Sequence, residues 1–121
     1  MRPLILIAAT ADAERLRSAL TLAAGQAALG AKATIFLHLD AVALLRPPMA
    51  APRDPAHRAA GLPDLATLLD EALGIGVTLI ACQSGLALAG MTTADLPAGI
   101  GIGGPVALLQ QAGDDARLLL A

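Results

Sequence analysis

Val77-Thr78-Leu79-Ile80-Ala81-Cys82-Gln83-Ser84-Gly85-Leu86-Ala87-Leu88-Ala89-Gly90 is the stretch whose reading decides the fold. Its first five residues are largely apolar, partly β-branched and short enough for one buried strand. Cys82, the single cysteine of the chain, follows at once, and Gln83-Ser84-Gly85 lead into a Leu/Ala run. Strand, turn, helix is the expected order. It places Cys82 where a parallel strand ends and the next helix begins. Open α/β sheets bind ligands at that edge, and the free amides at a helix start favour an anion such as a thiolate.

The same rhythm extends toward the N-terminus. Leu4–Ala9 is an apolar run without polar alternation, as a strand covered on both faces requires. Thr10 and Asp12 offer capping side chains for a helix over Ala13–Leu29. Within it Leu16, Leu20, Ala23 and Ala27 recur at spacings of three and four, and Gly30 supplies a stop. Ala33–Leu39 reads as a second strand, so strand, long helix and strand form a parallel pair with a right-handed crossover. Asp40–Leu45 reads as a short helical turn capped by Asp40. Residues 46–63 hold Pro47, Pro48, Pro52, Pro55 and Pro63 and read as an irregular excursion, the kind of loop that serves as a lid or interface arm or stays disordered. Asp64 then caps a helix over Leu65–Leu73.

On the C-terminal side Met91–Ala98 is a turn region, and Gly99–Gly103 holds a short fourth strand. Gly104-Pro105 opens a helix through Gln111, and Arg117–Leu120 is a final strand. The expectation is one α/β domain over residues 1–121, with a mainly parallel five-stranded sheet covered by helices on both faces.

Bulk composition narrows the function. The chain has 121 residues, 56% of them hydrophobic, but Ala and Leu supply most of these and Phe36 is the one aromatic. Such small side chains fill a core poorly, and tight packing or an oligomer interface would compensate. Eight basic and ten acidic side chains give a net charge of −2, which speaks against electrostatic nucleic-acid binding. A lone cysteine forms no internal disulfide and fits a reducing cytoplasm. The apolar run after Met1-Arg2-Pro3 is short and flows into Asp12, Glu14 and Arg15, unlike a signal peptide. Residues 72–94 carry no charge and have the length of a membrane span. Four glycines, Gln83, Ser84, Thr92 and Thr93 lie inside that window, however, and it divides into a strand and a helix; no membrane crossing is expected.

Cys82 is the leading site candidate, as a nucleophilic or sulfur-carrying thiol, with Gln83, Ser84 and Gly85 as backbone donors around it. The plainer alternative is a small buried hydrophobe. His38, at the carboxyl end of the second strand, shares the sheet edge with Cys82 and Thr10, and is a candidate base or anion partner. The alternative there is a histidine bonded to backbone. His57, in the proline-rich segment, could reach the site by loop closure. Gly99–Gly104 matches G-x-G-x-x-G, but it does not follow the first strand, meets Pro105 at once and has no acidic residue about 20 positions on; close packing explains it better than a dinucleotide. One cysteine and two scattered histidines give no metal-ligand spacing, and Ser84 lacks the upstream glycine of a nucleophile elbow. No cofactor and no metal are expected.

The order of these elements, and especially Leu79-Ile80-Ala81-Cys82 with Leu86, Gly90-Met91 and the glycines before the last helix, resembles the DsrE/DsrF/DsrH-like family over nearly the whole chain. The resemblance implies a three-layer α/β/α domain that assembles into homotrimers or hexamers. Members with a cysteine at the position of Cys82 relay sulfur as a protein-bound persulfide, in sulfur oxidation or tRNA thiolation, whereas other members lack it. With no second cysteine here, transfer would pass directly between Cys82 and a donor or acceptor protein. The competing expectations are a non-catalytic oligomer holding a small anion or metabolite, and a structural subunit of a hetero-oligomer.

Overall fold

The structure is a computed structural model describing residues 1–121. Five parallel strands form one sheet: β1 (Leu4–Ala8), β2 (Ala33–Leu37), β3 (Thr78–Cys82), β4 (Gly101–Gly103) and β5 (Arg117–Leu120). Their order is β4-β3-β2-β1-β5, every pair parallel. β1 and β2 are apolar throughout except for Thr34, and nearly every residue in them is buried, as strands shielded on both faces demand. β1 ends one residue, and β2 two residues, short of the sequence reading.

Five helices accompany the sheet: α1 (Ala13–Ala28), α2 (Asp54–Ala59), α3 (Leu65–Gly74), α4 (Gln83–Ala89) and α5 (Pro105–Ala112). α1 buries Leu16, Ala19, Leu20 and Ala23, one stripe at helical spacing. Its N-cap is Asp12, whose carboxylate accepts from the Glu14 and Arg15 amides. α1 lies against the sheet face that carries Leu6 and packs beside α3. α5 lies on the opposite face, over Ile5 and Thr34. The three layers are therefore helix, sheet, helix.

Two departures from the sequence reading have physical causes. The segment after β2 forms a 3₁₀ helix over Leu39–Leu45, and its N-cap is His38 rather than Asp40, which lies exposed and caps nothing. Residues 46–63 are not irregular throughout, because Asp54–Ala59 is helical with proline in the first turn. That helix is anchored by Asp54, which is buried and bonded to Arg17 Nη2 at 2.7 Å and to the amides of Ala51 and Leu65. The prolines there shape a strap held against α1. No helix is long and apolar enough to cross a membrane.

Candidate functional site

Cys82 is at once the last residue of β3 and the N-cap of α4. In that position its side chain turns back over the first turn of the helix, and Sγ accepts the N–H of Gly85 at 3.1 Å. A second donor comes from far away in sequence, the N–H of Leu39, also at 3.1 Å. Leu39 is the one non-glycine residue with positive φ, at 50°, a conformation that costs a leucine about 1–2 kcal/mol. The strain turns the first amide of the 3₁₀ helix onto the sulfur.

Gly85 is where the two walls meet. A Cβ there would lie 2.4 Å from Val42 Cγ2, 2.6 Å from the Leu39 carbonyl oxygen and 3.0 Å from Cys82 Sγ. Only glycine lets α4 approach the 3₁₀ helix this closely.

The sequence leaves open whether Cys82 is a reachable thiol or a small buried hydrophobe. In the structure Cys82 is 2% exposed and lines none of the five surface cavities. The reason is the cover formed by Leu39 and Val42, residues that carry no site signal in the sequence. Of the three residues after the cysteine, Gly85 alone bonds to the sulfur; Gln83 and Ser84 are exposed.

His38 sits next to the site without touching Sγ through a hydrogen bond. Its backbone N–H donates to the Ala8 carbonyl at 2.8 Å, joining the ends of β1 and β2. Its ring stacks on Phe36 with centroids 5.7 Å apart and faces a cleft of about 130 Å³ with Ile7, Pro105, Leu108 and Leu109. Nδ1 is buried there and has no hydrogen-bond partner. Gly103 lies opposite Cys82 in the β3–β4 register, and a Cβ on it would press within 3.3 Å of Ile80 Cγ2. Close packing accounts for that glycine.

His57 does not approach Cys82. Its Nε2 lies 3.0 and 3.1 Å from the two carboxylate oxygens of Glu14 on α1, and Glu14 also takes Arg17 Nε at 3.1 Å. Burial alone would raise the Glu14 carboxyl, but His57 and Arg17 outweigh it and hold it below the ordinary range. Asp54 follows the same logic: burial pushes it up, while the Ala51 and Leu65 amides and Arg17 bring it down. This network separates two cavities of about 520 and 540 Å³ that share Glu14 as a wall. The first also holds Asp12, Arg46 and Arg53, so its charges balance. Glu14 and Arg17, three apart on one helix face, were the sequence signal for this network, but nothing local pointed to Asp54 as their partner.

With this geometry in place, the comparisons with known proteins are consistent with one another. The profile of the DsrE/DsrF-like family matches residues 1–120. The chain superposes on the crystal structure of the ychN protein from E. coli with a TM-score of 0.72, at 22% identity and covering 100% of both chains. It superposes equally on MTH1491 from Methanobacterium thermoautotrophicum, a protein of unknown function, with a TM-score of 0.71, at 16% identity and again over 100% of both. At such identities these neighbours speak to the fold alone. No curated protein sequence matches.

Proposed function

Because the chain belongs to the DsrE/DsrF-like family, which is generally associated with sulfur relay, we propose that Cys82 carries sulfane sulfur as a persulfide between partner proteins. The observation that supports this most directly is the pair of amides, Leu39 and Gly85, aimed at Sγ. The two donors fix the sulfur at the end of β3, in one place and orientation, as a nucleophile that forms a covalent intermediate requires. In the loading step the Cys82 thiolate attacks the outer sulfur of a donor's persulfide. A new S–S bond forms, the donor's S–S bond breaks, and the donor leaves as a thiolate. In the unloading step an acceptor thiolate attacks the outer sulfur on Cys82, which is released as thiolate. No net oxidation occurs in either step.

Gln83 and Ser84 flank the sulfur at the surface and would meet the partner, and His38 would take a supporting part as base at the same sheet edge. The protein acts in this reading as a homo-oligomer, trimer or hexamer, in the cytoplasm, where a lone thiol stays reduced. Since Cys82 is buried, a partner reaches it only when the Leu39–Leu45 cover yields, and docking would supply that opening. The burial also favours a second reading, in which the thiol is a structural cap for α4.

Intact-mass spectrometry separates the two. The native protein and Cys82→Ser are exposed to polysulfide, or to thiosulfate with a sulfurtransferase. A gain of one or more sulfur masses on the native chain alone, reversed by a reductant, supports the carrier. No adduct, together with slow alkylation of Cys82 in the folded protein, overturns it in favour of the cap.

A further inference from the structure

Residues 46–63 are basic in a chain that is acidic as a whole. They hold Arg46, Arg53 and Arg58 against a single acid, Asp54, while the net charge of the chain is −2. Asp54 is buried on Arg17, and Arg58 is paired with Asp64 at 3.2 Å. Two arginines are left at the surface. The Arg53 side chain is 66% exposed, with Nε 3.7 Å from Glu14 Oε1, and Arg46 is exposed and in no ion pair.

Both line the cavity of about 520 Å³ between the strap, the 3₁₀ helix and the first turn of α1. Its walls are otherwise largely apolar, Leu44, Met49 and Leu65 among them. Asp12 and Glu14 match the arginines in number there, but both carboxylates are already engaged. Asp12 accepts from the Glu14 and Arg15 amides, and Glu14 takes Arg17 and His57. The two guanidinium groups keep donors to spare. Apolar walls with arginine beside them are the make-up of a protein docking surface.

The same 3₁₀ helix encloses the thiol. On one side Leu39 donates to Cys82 Sγ and Val42 stands over Gly85; on the other Ala43 and Leu44 line the cavity. Arg46 is the C-cap of this helix and donates through Nη2 to the carbonyl of Ala89, the last residue of α4. Cys82 caps the opposite end of α4. Arg46 is thus a latch between the two elements that enclose the sulfur.

We propose that this corner docks an acidic segment of the partner protein. Its carboxylates take Arg53 and draw Arg46 off the Ala89 carbonyl, which releases the 3₁₀ cover and opens the way to Cys82. A carboxylate outcompetes a carbonyl for guanidinium because it is charged and accepts two parallel N–H groups. The spare charges identify the occupant. Two free cations on apolar walls suit carboxylates carried by a peptide, whereas a nucleic acid calls for many phosphate contacts or aromatic stacking platforms, and the net negative charge of the chain opposes it. The proposal rests on the carrier reading for its purpose. Its test reads docking and thiol access, neither of which needs sulfur to be loaded, so the two fail separately.

A fluorescein-labelled peptide of glutamate and leucine is titrated into the native protein, Arg46→Ala, Arg53→Ala and Lys32→Ala, with anisotropy as readout. A glutamine–leucine peptide and oligouridylate serve as comparisons, and iodoacetamide times the alkylation of Cys82 with and without the acidic peptide. The acidic peptide should bind the native protein, more weakly as salt rises. Each arginine variant should weaken it about two- to fivefold, and Lys32→Ala, at an exposed lysine away from the cavity, should leave it unchanged. The peptide should speed alkylation of the native protein, and Arg46→Ala should speed it with no peptide present. Absence of binding, equal binding of the glutamine peptide, or an affinity untouched by both arginine variants overturns the docking surface. Tighter binding of oligouridylate overturns the acidic occupant in favour of a phosphate backbone. A peptide that splits a native assembly in light scattering gives the corner to a second copy and overturns it too. Alkylation unchanged by the peptide and by Arg46→Ala overturns the latch.

Discussion

The N–H of Leu39 donates to Cys82 Sγ across 43 positions of sequence, at 3.1 Å, from a left-handed backbone conformation. One strained residue thus ties the end of β2 to the end of β3 through a sulfur atom. The bond is both a structural clamp and half of the polar environment of the thiol.

Removing the acceptor should therefore cost stability. Cys82→Ala leaves the Leu39 and Gly85 amides without their partner in a buried setting, a loss of about 1–3 kcal/mol. Cys82→Ser keeps an acceptor and should lose less. Urea unfolding followed by circular dichroism ranks the two; equal midpoints would show that the N–H···S bonds contribute nothing.

Gly85 and Gly25 should respond in opposite directions to alanine. At Gly85 the new Cβ meets Val42 and a backbone oxygen well inside van der Waals contact, so Gly85→Ala should destabilise by about 1–3 kcal/mol. Gly25 lies exposed inside α1 with nothing within 4 Å, and Gly25→Ala should gain about 0.5–1 kcal/mol from helix propensity. Thermal midpoints of the two variants decide the matter. A tolerated Gly85→Ala would mean that α4 and the 3₁₀ helix move apart easily, which would also loosen the cover over the thiol.

Asp54 holds the proline-rich strap to the body. Asp54→Ala leaves the buried Arg17 guanidinium without its 2.7 Å partner and two amides without an acceptor. The expected loss is about 3 kcal/mol. Limited proteolysis should then cut within residues 46–63 while α1 and α3 stay protected. Unchanged resistance would place the strap's anchorage elsewhere.

Acid should weaken the same region first. Glu14, Asp54 and Asp64 all have carboxyl groups lowered in the folded protein. For a lowered group the stabilisation is complete above the unfolded value, near 4, and is lost as pH falls through the folded value. The thermal midpoint should stay level from neutral pH down to about 5 and drop below that. In Asp54→Asn the drop should be shallower. A midpoint independent of pH between 5 and 3 would contradict the assignment.

The sheet was legible because its strands are mostly apolar runs, and Leu4–Ala8, Ala33–Leu37 and Arg117–Leu120 lie within the segments the hydrophobic pattern marks. Asp12 and Asp64 announced α1 and α3 as caps, and both act so. The helix Asp54–Ala59 was not legible. Its local sequence is rich in breakers, and its anchor, Arg17, lies 37 residues away. The setting that buries Cys82 was not legible for a related reason. It depends on a leucine with positive φ, which no propensity foretells, and on Gly85, whose need for close approach appears only when Val42 is placed beside it.

The position of β5 has a consequence for a nascent chain. β1 lies inside the sheet between β2 and β5, yet β5, which pairs Arg117 with Leu4, exists only once residues 117–120 have been made. At about 5–20 residues per second, synthesis leaves that side of β1 without its partner for roughly 5–20 s. During this interval Leu4-Ile5-Leu6-Ile7 is an open apolar edge. Yield on expression should accordingly depend on how soon Arg117–Leu120 leave the ribosome, and on whatever shields β1 until they do.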